Sequence, residues 1–437
     1  MTTEIAIMNK SAIALAADSA VTFSKRNGQL KIYNTVNKLF ALSKYEPVGI
    51  MIFDSAELMG LPWETIIKIY RSGLDSKKFL TLEHYAKDFL AFLSDNTQLF
   101  PKDVQSEYFR ELAGNYFARI AKATLDECDR YVAAHGPIND DKIAELLEAQ
   151  IRSHCEALGG EKDAECLPQD FFSSLAKEYP ADILESKIRE SFGKAQLSEQ
   201  SKVLLRAAAI QVFSKDFFLD IGNSGIVIAG FGDTEPFPSF RSYIVQGVLG
   251  NKLKFKPFRS ASINFTMGAS ITPFAQDEMV HTFMQGVDPG YEHYAVNSVN
   301  DIVKKYYFDP IENAVQMNDQ EKKELLKNLR GVQAAAIKEL RDKLSQHKRT
   351  NYIDPILDAV AALPKDELAA MAESLVSLTI LKRRVSMTAE TVGGAIDVAL
   401  ISKGDGLIWI KRKHYFDKNL NAQFLANYYR KDDVGML

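Results

Sequence analysis

The chain has 437 residues, 46% hydrophobic and 25% charged, enough core-forming material for a soft prior of about three domains. A formal net charge of −4 gives no electrostatic footprint for nucleic acid or an anionic membrane surface, so neither partner is expected. No apolar run approaches the ~18 residues of a membrane span, and Cys128, Cys155 and Cys166 without CxxC spacing fit a reducing cytoplasm.

Thr2 and Thr3 follow Met1, and two short apolar runs, Glu4–Met8 and Ala12–Ala17, flank the turn cluster Asn9-Lys10-Ser11. That pattern predicts a β-hairpin. Lys10 and Asp18 break the runs and no basic flank precedes them, so they do not form a signal peptide. Val36–Leu42 reads as a strand carrying one lysine, Lys38, among hydrophobic side chains. Residues 1–53 thus read as consecutive strands, with Asn27-Gly28 as a hairpin turn because both residues tolerate positive φ. From Ser55 to Tyr70 and from Thr81 to Leu93 the spacing becomes helical, with a kink or break expected at Pro62.

Roughly 100–199 is expected to be a helical insertion, since nothing in it alternates like a strand. Val104, Tyr108, Leu112, Tyr116 and Ile120 recur every four residues up to Gly136-Pro137, and a second helix carries Ile143, Leu147, Ile151 and Cys155. His154 beside Cys155 lacks a second ligand pair, so no metal site is read there. Strand character returns at Ser224–Gly232, Phe240–Val248, Lys252–Phe258 and Ala261–Met267, with a helix expected over Pro273–Met284. A second helical insertion spans 291–364, including a charged amphipathic stretch from Asn318 to His347. A last helix then leads to Gly393-Gly394 and a final strand pair turned at Gly404-Asp405-Gly406, before a terminal extension over 413–437. The core pieces are 1–99, 200–290 and 365–412.

A methionine aminopeptidase removes Met1 when the second residue is small, which would leave Thr2 first. Such a threonine carries a hydroxyl nucleophile and a free α-amine on one residue, and the amine can act as its base because it titrates near ~7.7–8.0. Thr-Thr, then Ala-Ala-Asp-Ser-x-x-Thr at Ala16–Thr22, then Val-x-Lys-x-Phe-x-Leu at Val36–Leu42, resembles the N-terminus of proteasome β-type peptidases, which are N-terminal-nucleophile hydrolases. The style is closest to bacterial relatives without a propeptide. The resemblance implies an α+β fold, a four-layer αββα sandwich of two antiparallel sheets, here with two helical insertions.

It also implies acyl transfer through Thr2, with Lys38 as the cation that favours a neutral amine and an alkoxide, and Asp18 as its partner. Thr22 would align an extended substrate. The chain departs from the family at three places. Phe53 or Asp54 stands where a small oxyanion-site glycine is expected, the auxiliary serine is absent or shifted to Ser270, and Ala389-Glu390-Thr391-Val392 stands for the Asp-x-x-Ser before Gly-Gly, with Glu390 as a displaced candidate. The resemblance implies no cofactor or metal, a cytoplasmic location, a peptide or protein substrate and a homo-oligomer. No Walker A motif occurs, so ATP-driven unfolding would need a separate ATPase. Two other readings share these residues: a non-catalytic, proteasome-like assembly subunit and a small-molecule amidase.

Overall fold

The computed structural model describes residues 2–24, 30–179, 181–193, 195, 197–220, 222–312, 318–386, 392–414, 416–417 and 420–423. The Asn27-Gly28 turn and most of the terminal extension lie outside them. Among the described residues no helix is long and apolar enough to cross a membrane.

The chain opens with β1 (Thr3–Asn9) and β2 (Ile13–Ala17), paired antiparallel with Glu4 opposite Ala17 and Met8 opposite Ile13. The Asn9 side-chain oxygen closes their turn by accepting from the Ser11 and Ala12 N–H groups. β3 (Val21–Ser24) and β4 (Leu30–Tyr33) form a separate antiparallel pair. Next come β5 (Leu39–Ala41) and β6 (Val48–Asp54), then β7 (Glu57–Leu58) and β8 (Leu61–Pro62), a small hairpin. α1 (Trp63–Leu74) starts directly after Pro62 rather than at Ser55. Proline lacks the N–H that a preceding turn would need, so it opens this helix instead of kinking it.

α2 (Leu82–Asp95) is capped by Thr81, and five helices follow: α3 (Lys102–His135), α4 (Asp140–Gly159), α5 (Phe171–Glu178), α6 (Glu185–Phe192) and α7 (Glu199–Ser214). α3 stops at Gly136, whose φ of 86° suits glycine. The strands β9 (Ser224–Gly230), β10 (Ser239–Leu249), β11 (Lys252–Ser262) and β12 (Ala269–Ala275) come next. After them run α8 (Glu278–Gln285), α9 (Pro289–Val303), α10 (Asp309–Glu312), α11 (Asp319–Lys348), α12 (Asp354–Ala362) and α13 (Lys365–Val385). β13 (Asp397–Ser402) and β14 (Gly406–Lys411) close the chain as an antiparallel pair.

β12 corrects two expectations. The segment Ala261–Met267 is not a strand of its own, because β11 ends at Ser262, and Pro273 belongs to a strand rather than a helix. Pro273 lies opposite Ile5 on a strand at the sheet edge, where a missing donor costs no ladder bond on the outer side.

The fold is mixed α/β with two antiparallel sheets, distributed over two compact units. One unit comprises Met1–Leu39 and Ser262–Leu437, and its sheet has the order β12-β1-β2-β13-β14. Its core joins Ile5, Ile7, Ala14, Ala16, Val398 and Leu400 to Leu368, Ala372, Leu375 and Val376 of α13. The pleat puts Glu4, Ala6 and Met8 on the opposite face of β1, and these are buried too. That explains why β1 reads as a nearly continuous apolar run rather than an alternation.

The other unit, Phe40–Ala261, holds the sheet β11-β10-β9-β6-β5. α1 and α2 cover this sheet with Trp63, Ile66, Tyr85 and Phe89 against Ile50, Ile52, Ile226 and Val245. α3 to α7 build a second core of their own around Phe109, Phe117, Ile151 and Phe213. Polar ties hold that helical core to the sheet: Tyr108 donates to the Gln246 carbonyl, and the buried Lys254 ammonium donates to the Val212 and Phe217 carbonyls at 2.8 and 2.6 Å.

Candidate active site

The site lies in the first unit, where β1 begins and β2 ends. Thr2 and Glu4 are two residues apart on an extended segment, so they share a face. The Thr2 hydroxyl donates to Glu4 Oε2 at 3.0 Å. The other Glu4 oxygen, Oε1, lies 3.2 Å from Lys38 Nζ. Lys38 also donates to Asp18 Oδ1, so one ammonium is shared by two carboxyl groups. All four side chains are buried.

Asp18 is held by the backbone as well as by Lys38. Oδ1 accepts from the Thr3 N–H and Oδ2 from the N–H groups of Ala20 and Gly393. Its own N–H donates to the Thr3 carbonyl. The carboxyl therefore ties the start of β1 to the end of β2 and to the Gly-Gly turn ahead of β13. Ser19 strengthens the same junction, its N–H donating to the Gly393 carbonyl and its hydroxyl to the Ala395 carbonyl. On the other side the Gln276 N–H donates to the Thr2 carbonyl, and Arg383 of α13 donates to the Gln276 side-chain oxygen at 2.6 Å.

Burial pushes the Glu4 carboxyl up to about 8 from an ordinary carboxylate value; Lys38 opposes that shift and the Asp18 charge adds to it. A carboxyl poised there exchanges a proton near neutral pH, which an exposed glutamate does not do. Glu4 was not among the residues the sequence singled out. Its signal was present: a lone carboxylate two places after Thr2 in an otherwise apolar strand.

Of the residues singled out, the structure brings Thr2, Asp18 and Lys38 together. Lys38 stands just ahead of β5 rather than inside a strand. Ser270 does not join them. It pairs with Met8 at the far end of β1, roughly 20 Å from Thr2 at ~3.3 Å per residue, because Gly268-Ala269-Ser270 starts a strand and not a helix. Phe53 lies on β6 of the second unit, opposite Gly225, and its ring fills the space above that glycine, where a Cβ would come within 2.0 Å. The positive φ falls one residue later, on Asp54 at 63°. Thr22 is on β3, opposite Ile32. Glu390 lies outside the described residues.

No group of three or more His, Cys, Asp or Glu side chains suited to a metal ion occurs among the described residues. No protein-family model matches the chain, and no curated protein matches it.

Proposed function

We propose that the protein is an N-terminal threonine hydrolase that cleaves amide bonds by acyl transfer through Thr2 once Met1 is removed. The observation that carries this reading is the buried chain of contacts Thr2–Glu4–Lys38–Asp18 at the start of β1. A hydroxyl becomes a competent nucleophile when a base takes its proton and a cation stabilises the resulting oxyanion, and the α-amine and Lys38 would supply these. The Asp18 carboxyl, held by three backbone N–H groups, positions Lys38 for that task.

With this reading go kinship to the proteasome-like peptidases, a four-layer αββα arrangement, a peptide or protein substrate, self-assembly and a cytoplasmic location. Two antiparallel sheets, and burial of both faces of β1, support the arrangement. A non-catalytic assembly subunit is the second reading. It is favoured by the 1% exposure of Thr2 and by the placement of Ser270 away from it.

A β-lactone or epoxyketone peptide separates the two. The processed protein should gain one adduct at Thr2, found by peptide mapping, and Thr2→Ala should gain none while still folding, with a stability loss of ~1–3 kcal/mol from the hydroxyl's lost bond to buried Glu4. Lys38→Ala should nearly abolish labelling, and Lys38→Arg should restore little of it because guanidinium is planar and larger. A wild-type chain that has lost Met1 and still resists both reagents would leave the non-catalytic reading standing.

A further inference from the structure

The geometry points to Glu4 as a fourth catalytic group, the carboxylate that takes the Thr2 hydroxyl proton and returns it to the leaving amine. This inference rests on the threonine-hydrolase reading above and moves the main role of base from the α-amine to Glu4, leaving the amine as the weaker base that remains when Glu4 is replaced.

Glu4 touches the reacting atom, since its Oε2 is the acceptor for Thr2 Oγ1 at 3.0 Å, within the range a general base needs. Its second oxygen contacts Lys38 at 3.2 Å, so the carboxyl links the nucleophile to the cation. Thr2 precedes β1, Asp18 follows β2 and shares Lys38, and Lys38 precedes β5. From beyond β12, Gln276 holds the Thr2 carbonyl, with Arg383 of α13 on its side chain. A purely structural glutamate in this place would be a poor choice. It sets a second carboxyl beside one ammonium in a water-free position, where an apolar residue of similar volume would be at least as stable. A proton acceptor that works near neutral pH, on the other hand, gains from such burial.

Glu4 carboxylate accepts the Thr2 hydroxyl proton as Oγ1 bonds to the amide carbon, and the carbonyl π pair moves onto oxygen. Collapse of that adduct breaks the C–N bond, and the Glu4 carboxyl gives its proton to the departing nitrogen. Water then adds to the ester, its proton passing to Glu4. The carbon–Oγ1 bond breaks and Thr2 recovers the proton. Amide and water become acid and amine, and the enzyme is unchanged.

The test follows β-lactone labelling of Thr2 from pH 5.5 to 9.5 in wild type, Glu4→Gln and Glu4→Asp, with Met1 loss and melting temperature checked for each. Glutamine keeps the shape, can accept from Lys38 and can donate to Thr2, but takes no proton. Its rate should fall about 100-fold, the usual size of a lost general base. Its inflection should also move to lower pH, because the remaining base, the α-amine, has lost a nearby negative charge. Aspartate keeps the charge and draws the oxygen back by one C–C bond, so its rate should fall about 10-fold with the inflection unmoved. Labelling of Glu4→Gln within twofold of wild type, with an unchanged inflection, overturns the inference and leaves Thr2 as nucleophile intact. A processed wild type that is not labelled at all overturns the parent reading and this one with it. Should Glu4→Gln fail to fold, full wild-type labelling of Glu4→Asp across the range would equally overturn the inference.

Discussion

Glu4 places a second carboxyl beside the single ammonium of Lys38, and the pH dependence of stability should report it. In the unfolded chain this side chain titrates near 4.5, and in the folded protein near 8. Between those values the native state holds a proton that the unfolded state has released. Stability from this group is therefore complete below about pH 4.5, falls as pH rises and levels off above about 8, with a limiting slope of ~1.4 kcal/mol per pH unit. Glu4→Gln removes the titrating group while keeping the volume. Thermal melts at pH 5, 6, 7 and 8 should show wild type losing stability relative to Glu4→Gln along the series. Parallel curves for the two proteins would mean that Glu4 is not protonated in the native state at neutral pH. Thr2 stands out in the sequence because loss of Met1 would make it N-terminal, and Asp18 and Lys38 because Ala16–Thr22 and Val36–Leu42 resemble a proteasome β-type pattern. Glu4 lies outside that pattern, as a single carboxylate at the head of an apolar run. Pairing Thr2 with its i+2 neighbour on one face would have found it.

At the scale of elements, the Gly393-Gly394 turn sets the approach to β13 and, through Asp18, the site. Its two glycines are not equivalent. Gly394 has a φ of 79°, and a Cβ there would meet the Asn34 carbonyl oxygen at 2.6 Å and the Ser19 Cβ at 3.1 Å. Gly393 has nothing closer to such an atom than the Asn34 side-chain oxygen at 3.9 Å. Gly394→Ala should thus cost ~2 kcal/mol or more, from the left-handed backbone and a clash with backbone that cannot turn aside. Gly393→Ala should stay within ~1 kcal/mol of wild type. Urea unfolding of both variants measures this, and equal losses would contradict it. Because the Gly393 N–H donates to Asp18, Gly394→Ala should also slow labelling of Thr2.

The sequence showed this turn and the final strand pair, whose signals are local. It did not show β12, because Pro273 argues against a strand unless that strand is known to be an edge. Edge position is set by pairing with β1, some 260 residues earlier in the chain, and no local pattern records such a pairing.

That pairing has a consequence for the whole molecule. β1 lies between β2 and β12, and its register runs from Thr3 opposite Ala275 to Asn9 opposite Ala269. The N-terminal strand cannot be enclosed until residues 269–275 have been made. At ~5–20 residues per second that takes on the order of tens of seconds, during which the N-terminus is open to a methionine aminopeptidase. Afterwards Thr2 is 1% exposed, its carbonyl accepts from the Gln276 N–H, and Asp18 accepts from the Thr3 N–H. An aminopeptidase must draw the first residues into its own cleft in an extended form, which would break all of these bonds at once. Removal of Met1 should accordingly belong to synthesis and not to the folded protein. Protein made while the aminopeptidase is inhibited, then purified folded and incubated with the active enzyme, should keep Met1. A synthetic peptide of residues 1–12 should lose it under the same conditions. Intact mass follows both. Trimming of the folded protein at the rate of the peptide would show that the start of β1 opens readily, and that the burial of Thr2 does not limit access to it.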